Sequence, residues 1–142
     1  MNGQLPIPHR APFLFVDQVA EASETRIVTA ARVRPDADFF RGHYPGNPIM
    51  PGVLLCEMCF QSGALLLAHR LGGLRGTPVV TRIGDARFKR MVRPGDELSV
   101  EVTLDDTVDN AYVMTGRMSC DGKPVLRITF TCMLVESEAD QP

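Results

Sequence analysis

The stretch of sequence that decides the fold runs from Gly42 to Gln61 and reads GHYPGNPIMPGVLLCEMCFQ. Up to Gly52 it contains three prolines, three glycines and a single histidine, a composition typical of a stiff, turn-rich loop. Beyond Gly52 the sequence enters the most apolar segment of the chain, in which two polar residues, Glu57 and Gln61, are embedded. Burial of polar groups costs free energy, so their presence here predicts a function for them.

The apolar segment predicts a helix that begins at Pro51 or Gly52 and ends at Leu71. Proline suits the first helical turn because its missing N–H would have no partner within the helix. The Gly72–Gly73 pair is a typical stop signal. A helix that is apolar on every face must be covered on every side. We expect a curved antiparallel sheet to cover most of it and a partner subunit to cover the remainder.

The sequence on both sides of the helix alternates between apolar and polar residues, as in half-buried strands. Strands are expected over residues 13–22, 25–33, 79–88, 98–104, 112–120 and 126–134. Turns rich in proline, glycine and aspartate are expected at 94–96, 105–106 and 121–122. The pattern predicts one α+β domain over 1–142, with an irregular segment at 1–12 and a loose acidic tail at 136–142.

Composition excludes some classes of function. The chain has 142 residues, enough for one core, and a net charge of −2, which gives no overall attraction to nucleic acid or membranes. Cys56 and Cys59 have C-x-x-C spacing, but no second pair completes a zinc site, so buried thiols in a reducing cytosol are expected. No signal peptide pattern precedes the domain, and Glu57, Gln61 and His69 interrupt the apolar segment as a membrane span. We expect a cytoplasmic protein.

The loop and the helix together contain groups suited to acid–base chemistry. An imidazole can take up and release a proton under mild conditions, so His43 is a natural general base; alternatively it hydrogen-bonds a backbone carbonyl. Glu57 lies about one and a half turns into the helix, where an apolar environment favours a protonated carboxyl group, as a general acid requires. Its alternative role is a structural hydrogen bond. Gln61, four residues further on, lies on the same face and either orients Glu57 or His43 or satisfies a buried neighbour.

Gly52 adds a third element. The first N–H groups of a helix lack intrahelical acceptors and lie at the positive end of the helix dipole. Glycine lets a carbonyl oxygen approach such an N–H closely, which would polarise a thioester and stabilise an enolate. Base, acid and oxyanion donor together predict proton removal next to a carbonyl group, followed by loss of a leaving group.

Three blocks of sequence resemble the (3R)-hydroxyacyl-[acyl carrier protein] dehydratase family of type II fatty acid synthesis. They are residues 8–17 (PHRAPFLFVD), residues 42–53 together with Glu57 and Gln61, and residues 86–96 (ARFKR followed by PGD). The second block includes the family's fourteen-residue step from histidine to glutamate. The resemblance implies a hot-dog fold, in which a curved antiparallel sheet wraps one long central helix. It also implies that no metal or organic cofactor is used.

The resemblance assigns roles to the residues singled out above. His43 would remove the C2 proton of a (3R)-3-hydroxyacyl thioester, Glu57 would help the C3 hydroxyl leave as water, and the Gly52 N–H would hold the thioester oxygen. The product would be the trans-2-enoyl thioester. His43 and Glu57 of one site would come from different subunits of a homodimer, and dimers would assemble into a hexamer as a trimer of dimers.

Other residues are expected to contact the substrate or its carrier. Tyr44, Pro51 and Gln61 belong to the predicted substrate site, and Tyr44 replaces the usual phenylalanine. Met58 and Phe60 stand where the family usually has small residues, so they are expected to reshape or shorten the acyl tunnel.

A basic cluster lies beyond the helix, at Arg82, Arg87, Lys89, Arg90 and Arg93. It is either a solvated face or a docking patch for an acidic acyl carrier protein, to which we assign the last four residues.

His9 and His69 are expected to be structural. Two alternatives to the dehydratase remain open: a hot-dog acyl thioesterase, and a non-catalytic acyl-binding protein with the same fold.

Overall fold

A twenty-residue helix, α1, lies against one face of a six-stranded antiparallel sheet in the computed structural model, which describes residues 4–136. The helix spans Gly52–Leu71, and a short 3₁₀ helix, Asp38–Arg41, precedes its entry loop. The strands are β1 (Gln18–Ala22), β2 (Arg26–Arg32), β3 (Thr77–Phe88), β4 (Glu97–Val108), β5 (Ala111–Cys120) and β6 (Lys123–Val135). This arrangement is the hot-dog fold that the sequence predicts.

The strands follow the order β1-β2-β4-β5-β6-β3, so β1 and β3 form the two edges of the sheet. Along the central strands alternate residues turn inward toward the helix, as the period of two predicts. On β4, for example, Leu98, Val100 and Val102 are buried. Register shifts interrupt the pairing of β3 with β6 at two places, which explains the irregular sequence pattern of β3.

The helix sits close to the sheet because of one small residue in its middle. A side-chain carbon added at Gly63 would lie 2.9 Å from the Met114 sulfur and 3.0 Å from the Phe130 ring. Both of these side chains are buried in the core. Gly63 therefore sets how near the helix axis comes to β5 and β6.

The bounds of the helix agree with the sequence, and its end has the expected geometry. Pro51 is the residue just before the helix, and Gly72 ends it in the left-handed conformation, with φ of 67°. The helix is long and apolar enough to cross a membrane by composition, but most of it is buried within the protein. It is a core helix, as the interrupting polar residues suggested.

Two predictions of secondary structure were wrong. The first strand begins at Gln18 rather than at residue 13, because the backbone groups of Phe13 and Phe15 bond to the side chain of Gln61 instead of to a strand. Residues 105–106 do not form a turn: β4 continues through them with a bulge, and the Asp105 carboxylate accepts hydrogen bonds from two threonine hydroxyls. The turn lies at residues 109–110.

The remaining predictions hold where they can be checked. The turns at 94–96 and 121–122 are present, and no helix or strand forms within the described residues before β1. Most of the predicted acidic tail, residues 137–142, lies outside the described residues.

The first turns of the helix are only partly covered by the chain's own sheet. Val53 is 76% exposed, and Cys56, Glu57 and Phe60 on the same face are half-buried. From Gln61 to Ala68, in contrast, every residue is buried. We call the face formed by Val53, Cys56, Glu57 and Phe60 the open face of the helix.

Candidate active site

His43 lies in the loop between the 3₁₀ helix and α1, and its ring orientation is fixed by a backbone group. Its Nδ1 lies 2.8 Å from the carbonyl oxygen of Ile49. A carbonyl only accepts, so Nδ1 carries a proton, and the lone pair of a neutral ring is on Nε2. The bond to the carbonyl matches the structural alternative, but it also leaves Nε2 free as the basic nitrogen.

Several contacts hold the loop around His43 in place. The Met50 N–H donates to the carbonyl of Val92, and the Arg93 guanidinium donates to the side-chain oxygen of Asn47. Tyr44 adopts a left-handed backbone conformation, with φ of 53°, and its exposed ring stands edge-on to the His43 imidazole. The predicted substrate residue Tyr44 is therefore a neighbour of the predicted base.

Gly52 is the first residue of the helix, directly after Pro51, and the N–H groups of this first turn are not capped by a side chain from the described residues. The first turn also contains no acidic residue, so the helix dipole is not neutralised there. A side-chain carbon at Gly52 would lie 3.1 Å from the ring of Phe88. The packing of Phe88 is thus a second reason for glycine, beside the predicted oxyanion role.

Glu57 is held by Gln61 one helical turn further on. The Gln61 Nε2 donates to Glu57 Oε2 over 3.1 Å and to the carbonyl of Phe13 over 2.8 Å, while the Gln61 Oε1 accepts from the N–H of Phe15 over 2.9 Å. Gln61 is fully buried, and every polar group of its amide has a partner. These hydrogen bonds are compatible with both predicted roles of Gln61, since one reaches Glu57 and the others satisfy the backbone of Phe13 and Phe15.

Glu57 opens into an apolar cavity of about 310 Å³. Its walls are formed by the helix, by two neighbouring strands, β3 and β6, and by the segment before β1. The lining residues are His9, Glu57, Phe60, Ala64, Pro78, Val79, Val80, Ile83 and Cys132. Burial, reinforced by the nearby Glu57 carboxylate, raises the pKa of the Cys132 thiol to about 12. The cavity therefore offers an apolar chamber with one carboxyl group in its wall.

The two bulky helix residues have different surroundings. Phe60 lines the cavity and packs edge-on against Phe130, with ring centroids 5.0 Å apart. Met58 is buried in the core and does not line this cavity within the described chain. Of the two predicted determinants of the acyl tunnel, the structure brings only Phe60 to Glu57.

His43 and Glu57 are not brought into contact within one chain. The contacts of His43 are with Ile49 and Tyr44, those of Glu57 are with Gln61 and His9, and His43 is absent from the described lining of the Glu57 cavity. One protomer therefore holds the predicted base and the predicted acid in separate places.

His9, which the sequence predicts to be structural, lies next to Glu57. Its Nε2 lies 3.6 Å from Glu57 Oε2, and it lines the same cavity. The segment around it is tied down by buried Ile7 and by Arg10, whose guanidinium donates to the carbonyls of Ile7 and His9. The signal that could have found it was its place in the first of the three resembling blocks.

The basic residues at the end of β3 are exposed. Arg87 donates to Asp85, and Arg93 is engaged with Asn47. Lys89 also borders a larger cavity, of about 500 Å³, on the outer face of the sheet. That cavity contains none of the residues predicted for acid–base chemistry.

The C-x-x-C pair does not form a redox site. Cys56 and Cys59 are free thiols, and burial raises the pKa of both. A raised pKa keeps both thiols protonated at neutral pH. Cys59 is buried as expected, whereas Cys56 is only half-buried because it lies on the open face of the helix.

The sequence of this chain is similar to one family model and to several curated proteins that share one name. Residues 7–129 match the family model described as FabA-like domain. A 3-hydroxyacyl-[acyl-carrier-protein] dehydratase FabZ from Oenococcus oeni is 42% identical over 121 residues, covering 84% of this chain and 87% of that protein. Proteins of the same name from Rickettsia bellii and Erwinia tasmaniensis are 35% and 40% identical, covering 90% and 89% of this chain and 90% and 85% of theirs.

Solved structures support the fold. The dehydratase heterocomplex ApeI:P from Xenorhabdus doucetiae contains a chain with a TM-score of 0.81 at 17% identity, covering 96% of this chain and 91% of that one. A hypothetical thioesterase from Streptococcus pneumoniae has a TM-score of 0.65 at 18% identity, covering 84% of this chain and 86% of that one. At such low identity these likenesses concern the fold alone. On the matches to the family model and to the curated relatives, the chain belongs to the 3-hydroxyacyl-[acyl-carrier-protein] dehydratase family, within the FabA-like domain family.

Proposed function

We propose that the protein removes water from (3R)-3-hydroxyacyl thioesters carried by acyl carrier protein, giving trans-2-enoyl thioesters in fatty acid biosynthesis. The observation that carries the proposal is the match, over most of the chain, to curated dehydratases of this specificity. A base with a free Nε2 on His43 and a carboxyl group in an apolar cavity at Glu57 fit the reaction. The resemblance to a thioesterase fold carries no argument for hydrolysis.

The chemistry follows from these groups. His43 Nε2 takes the proton from C2, and the electron pair of the broken C–H bond moves toward the thioester, whose oxygen gains negative charge. The N–H of Gly52, at the positive end of the helix, stabilises that charge. The C2–C3 double bond forms as the C3–O bond breaks, and Glu57 gives its proton to the departing hydroxyl, which leaves as water. Return of the C2 proton from His43 to Glu57 through water restores the starting state.

We propose that the site is completed by a second copy of the chain. Within one protomer His43 and Glu57 make separate contacts, and the open face of the helix leaves Val53 exposed to solvent. Strand β3 is a sheet edge and carries the exposed apolar residues Val79, Ile83 and Phe88. Long apolar edges are poorly tolerated in free monomers. A homodimer would cover both surfaces and place His43 of one subunit near Glu57 of the other; a hexamer would be a trimer of such dimers.

The apolar cavity next to Glu57 is proposed to hold the acyl chain near C3 and beyond. Phe60 is the bulkiest side chain that the helix contributes to its wall. Pro51, Gln61 and Tyr44 would support the substrate as positioning residues, while Met58 would act only through the packing of the core.

For the carrier, we propose docking on Arg87, Lys89, Arg90 and Arg93, whose side chains lie on exposed positions at the end of β3. Acyl carrier proteins are acidic, and complementary charge speeds association more than it deepens affinity. We place the reaction in the cytoplasm, where the free and inert thiols of the chain would persist.

The test is hydration of a crotonyl thioester on acyl carrier protein, followed by the loss of absorbance of the enoyl group. Wild-type protein is expected to hydrate it, and His43→Ala is expected to lose about 10²–10⁴-fold in kcat, the usual contribution of a general base. His69→Ala, which changes an exposed histidine at the far end of the helix, is the matched control. Full activity of His43→Ala, or release of free carrier thiol instead of hydration, would contradict the proposal.

A further inference from the structure

The acid of the proposed reaction has a neighbour that the proposed mechanism does not use. The His9 imidazole lines the Glu57 cavity and directs its Nε2 at Glu57 Oε2, 3.6 Å away. The other ring nitrogen, Nδ1, is buried and has no hydrogen-bond partner among the described residues. The His9 side chain is thus half-buried, with one ring nitrogen toward a carboxyl group and the other shielded from solvent.

The surroundings of the ring determine which nitrogen carries its proton. A proton on Nδ1 would be a buried donor without an acceptor, and it would leave a lone pair on Nε2 facing the carboxylate. The neutral tautomer with its proton on Nε2 leaves an unpaired lone pair at buried Nδ1, but it buries no unpaired N–H and turns a donor toward the Glu57 carboxyl group. A doubly protonated ring would again bury an unpaired N–H at Nδ1. The geometry therefore favours a neutral His9 that directs an N–H at Glu57.

The two oxygens of Glu57 then have different tasks. Oε2 accepts from Gln61 Nε2 and faces His9, whereas Oε1 has no partner among the described residues. Oε1 is thus the oxygen available to the substrate. When it gives its proton to the leaving hydroxyl, negative charge spreads onto Oε2, where the two N–H donors already point.

We infer that His9 is a positioning residue for the dehydration: its Nε2–H, together with the Gln61 amide, holds Glu57 with Oε1 toward the substrate and stabilises the carboxylate that forms. The inference rests on the proposed function, in which Glu57 is the acid. At 3.6 Å the approach is longer than a hydrogen bond, and closing by about 0.5 Å would make it one. Such contacts commonly tighten only when substrate is bound.

Two substitutions at His9 separate this role from simple packing. The side-chain nitrogen of glutamine occupies about the place of Nε2, whereas that of asparagine occupies the place of Nδ1 and does not reach Glu57. Hydration kinetics on a crotonyl carrier thioester are expected to show His9→Gln with most of its kcat. His9→Asn should lose about 10- to 100-fold in kcat, the cost of a misplaced catalytic group, with KM little changed. Equal kcat for the two variants, or a change confined to KM, would overturn the inference.

A double-mutant comparison keeps the test valid if a variant folds poorly. In a Glu57→Gln background, His9→Asn should cause no further loss of the residual rate, because the group through which it acts is gone. A fold defect would lower the rate in both backgrounds alike, and that outcome would overturn the inference. Absence of hydration by the wild-type protein itself would instead refute the proposed function, so the two failures are distinguishable.

Discussion

The two halves of the central helix differ in almost everything except their apolar composition. In the second half, residues 62–68 are all buried by the chain's own sheet. In the first half, Val53, Cys56, Glu57 and Phe60 form an open face that the same sheet covers only in part. Gln61 lies at the boundary, fully buried and fully hydrogen-bonded.

This difference separates the second half of the helix, which belongs to the hydrophobic core, from the first half, which borders the proposed active site. The second half already has its neighbours, so its buried residues, apart from Ala64 in the cavity wall, mainly fill the core. The first half carries the carboxyl group, borders the cavity and presents apolar side chains to solvent, which supports the proposal that substrate and a second chain cover it.

The largest effect is expected for the substitution Glu57→Gln, which tests whether the first half of the helix is the active site. If the first half is the site, this change should lower kcat for hydration about 10²–10⁴-fold, because it removes the proton donor. Stability should change little, since an amide fills the same space and can still contact Gln61. Activity is measured on the carrier thioester and stability by thermal unfolding, with Glu97→Gln on the exposed start of β4 as the control. An active Glu57→Gln enzyme would remove the distinction between the halves.

The same variant tests the second chain. An equal mixture of Glu57→Gln and His43→Ala chains is unfolded and refolded together, so that half of the dimers contain one chain of each variant. In such a mixed dimer one of the two sites combines an intact His43 with an intact Glu57, and the other site has neither. Random pairing then restores about a quarter of wild-type activity, although each parent is inactive. No recovery would place both groups of a site in one subunit.

The next largest effect is expected on the free energy of unfolding, for a substitution in the second half of the helix. Leu66 is fully buried, and Leu66→Ala should destabilise the protein by about 2–5 kcal/mol through lost burial and the cavity left behind. Val53→Ala, in the first half, should change protomer stability by less than about 0.5 kcal/mol. Urea unfolding of both variants measures the contrast. Similar losses at the two positions would mean that the open face is no different from the core.

A smaller effect is expected on assembly. Val53→Asp places a charge on the open face, and if a partner covers that face, the dimer should dissociate with a Kd at least about tenfold higher, or 1.4 kcal/mol. Sedimentation velocity over a dilution series measures the change. Val108→Asp, at another exposed apolar position on β4, is the matched control. Unchanged assembly in Val53→Asp would show that the partner does not contact this face.

The smallest expected effect is a dependence of stability on pH, caused by Cys132 in the wall of the cavity next to Glu57. The pKa of Cys132 is raised from 9.0 to about 12, so above pH 9 the unfolded chain loses a proton that the folded chain keeps. The unfolded state then binds fewer protons than the folded state. The contribution of Cys132 to the free energy of unfolding is therefore full below pH 9, and between pH 9 and pH 12 it falls by up to about 1.4 kcal/mol per pH unit.

The measurement is urea unfolding of wild type and Cys132→Ala at pH 8 and pH 10. The wild type should lose about 1 kcal/mol more than the variant between these pH values. Equal losses would mean that the thiol is accessible to water in the folded protein, and that the cavity is wetter than its apolar lining suggests.

Sequence patterns predicted the helix to within a residue because Pro51 and Gly72 mark its ends by local backbone chemistry. They predicted the inward face of β4 because burial imposes a period of two. They failed at residues 105–106, where two aspartates suggested a turn. The Asp105 carboxylate is satisfied by threonines on its own and a neighbouring strand, and such a partner is not visible in local sequence.

The site was predictable in part, for a similar reason. His43 and Glu57 stood out because each is a titratable group in a segment where one is unexpected. His9 did not, because its significance lies in a contact with a residue 48 positions away, made only after the first segment folds onto the helix. Which surfaces meet between chains cannot be deduced from the pattern of one chain.

The close packing of the sheet against Gly63 has an evolutionary consequence. Met114 and Phe130 pack directly against this glycine at the middle of the helix, and a larger residue there would have to displace both side chains. Exchanges about one turn earlier, at Phe60, would change the volume of the cavity, because this side chain forms part of its wall. Descendants of such a chain could therefore diversify in the length of acyl group they accept through single side-chain replacements, while the scaffold is inherited unchanged.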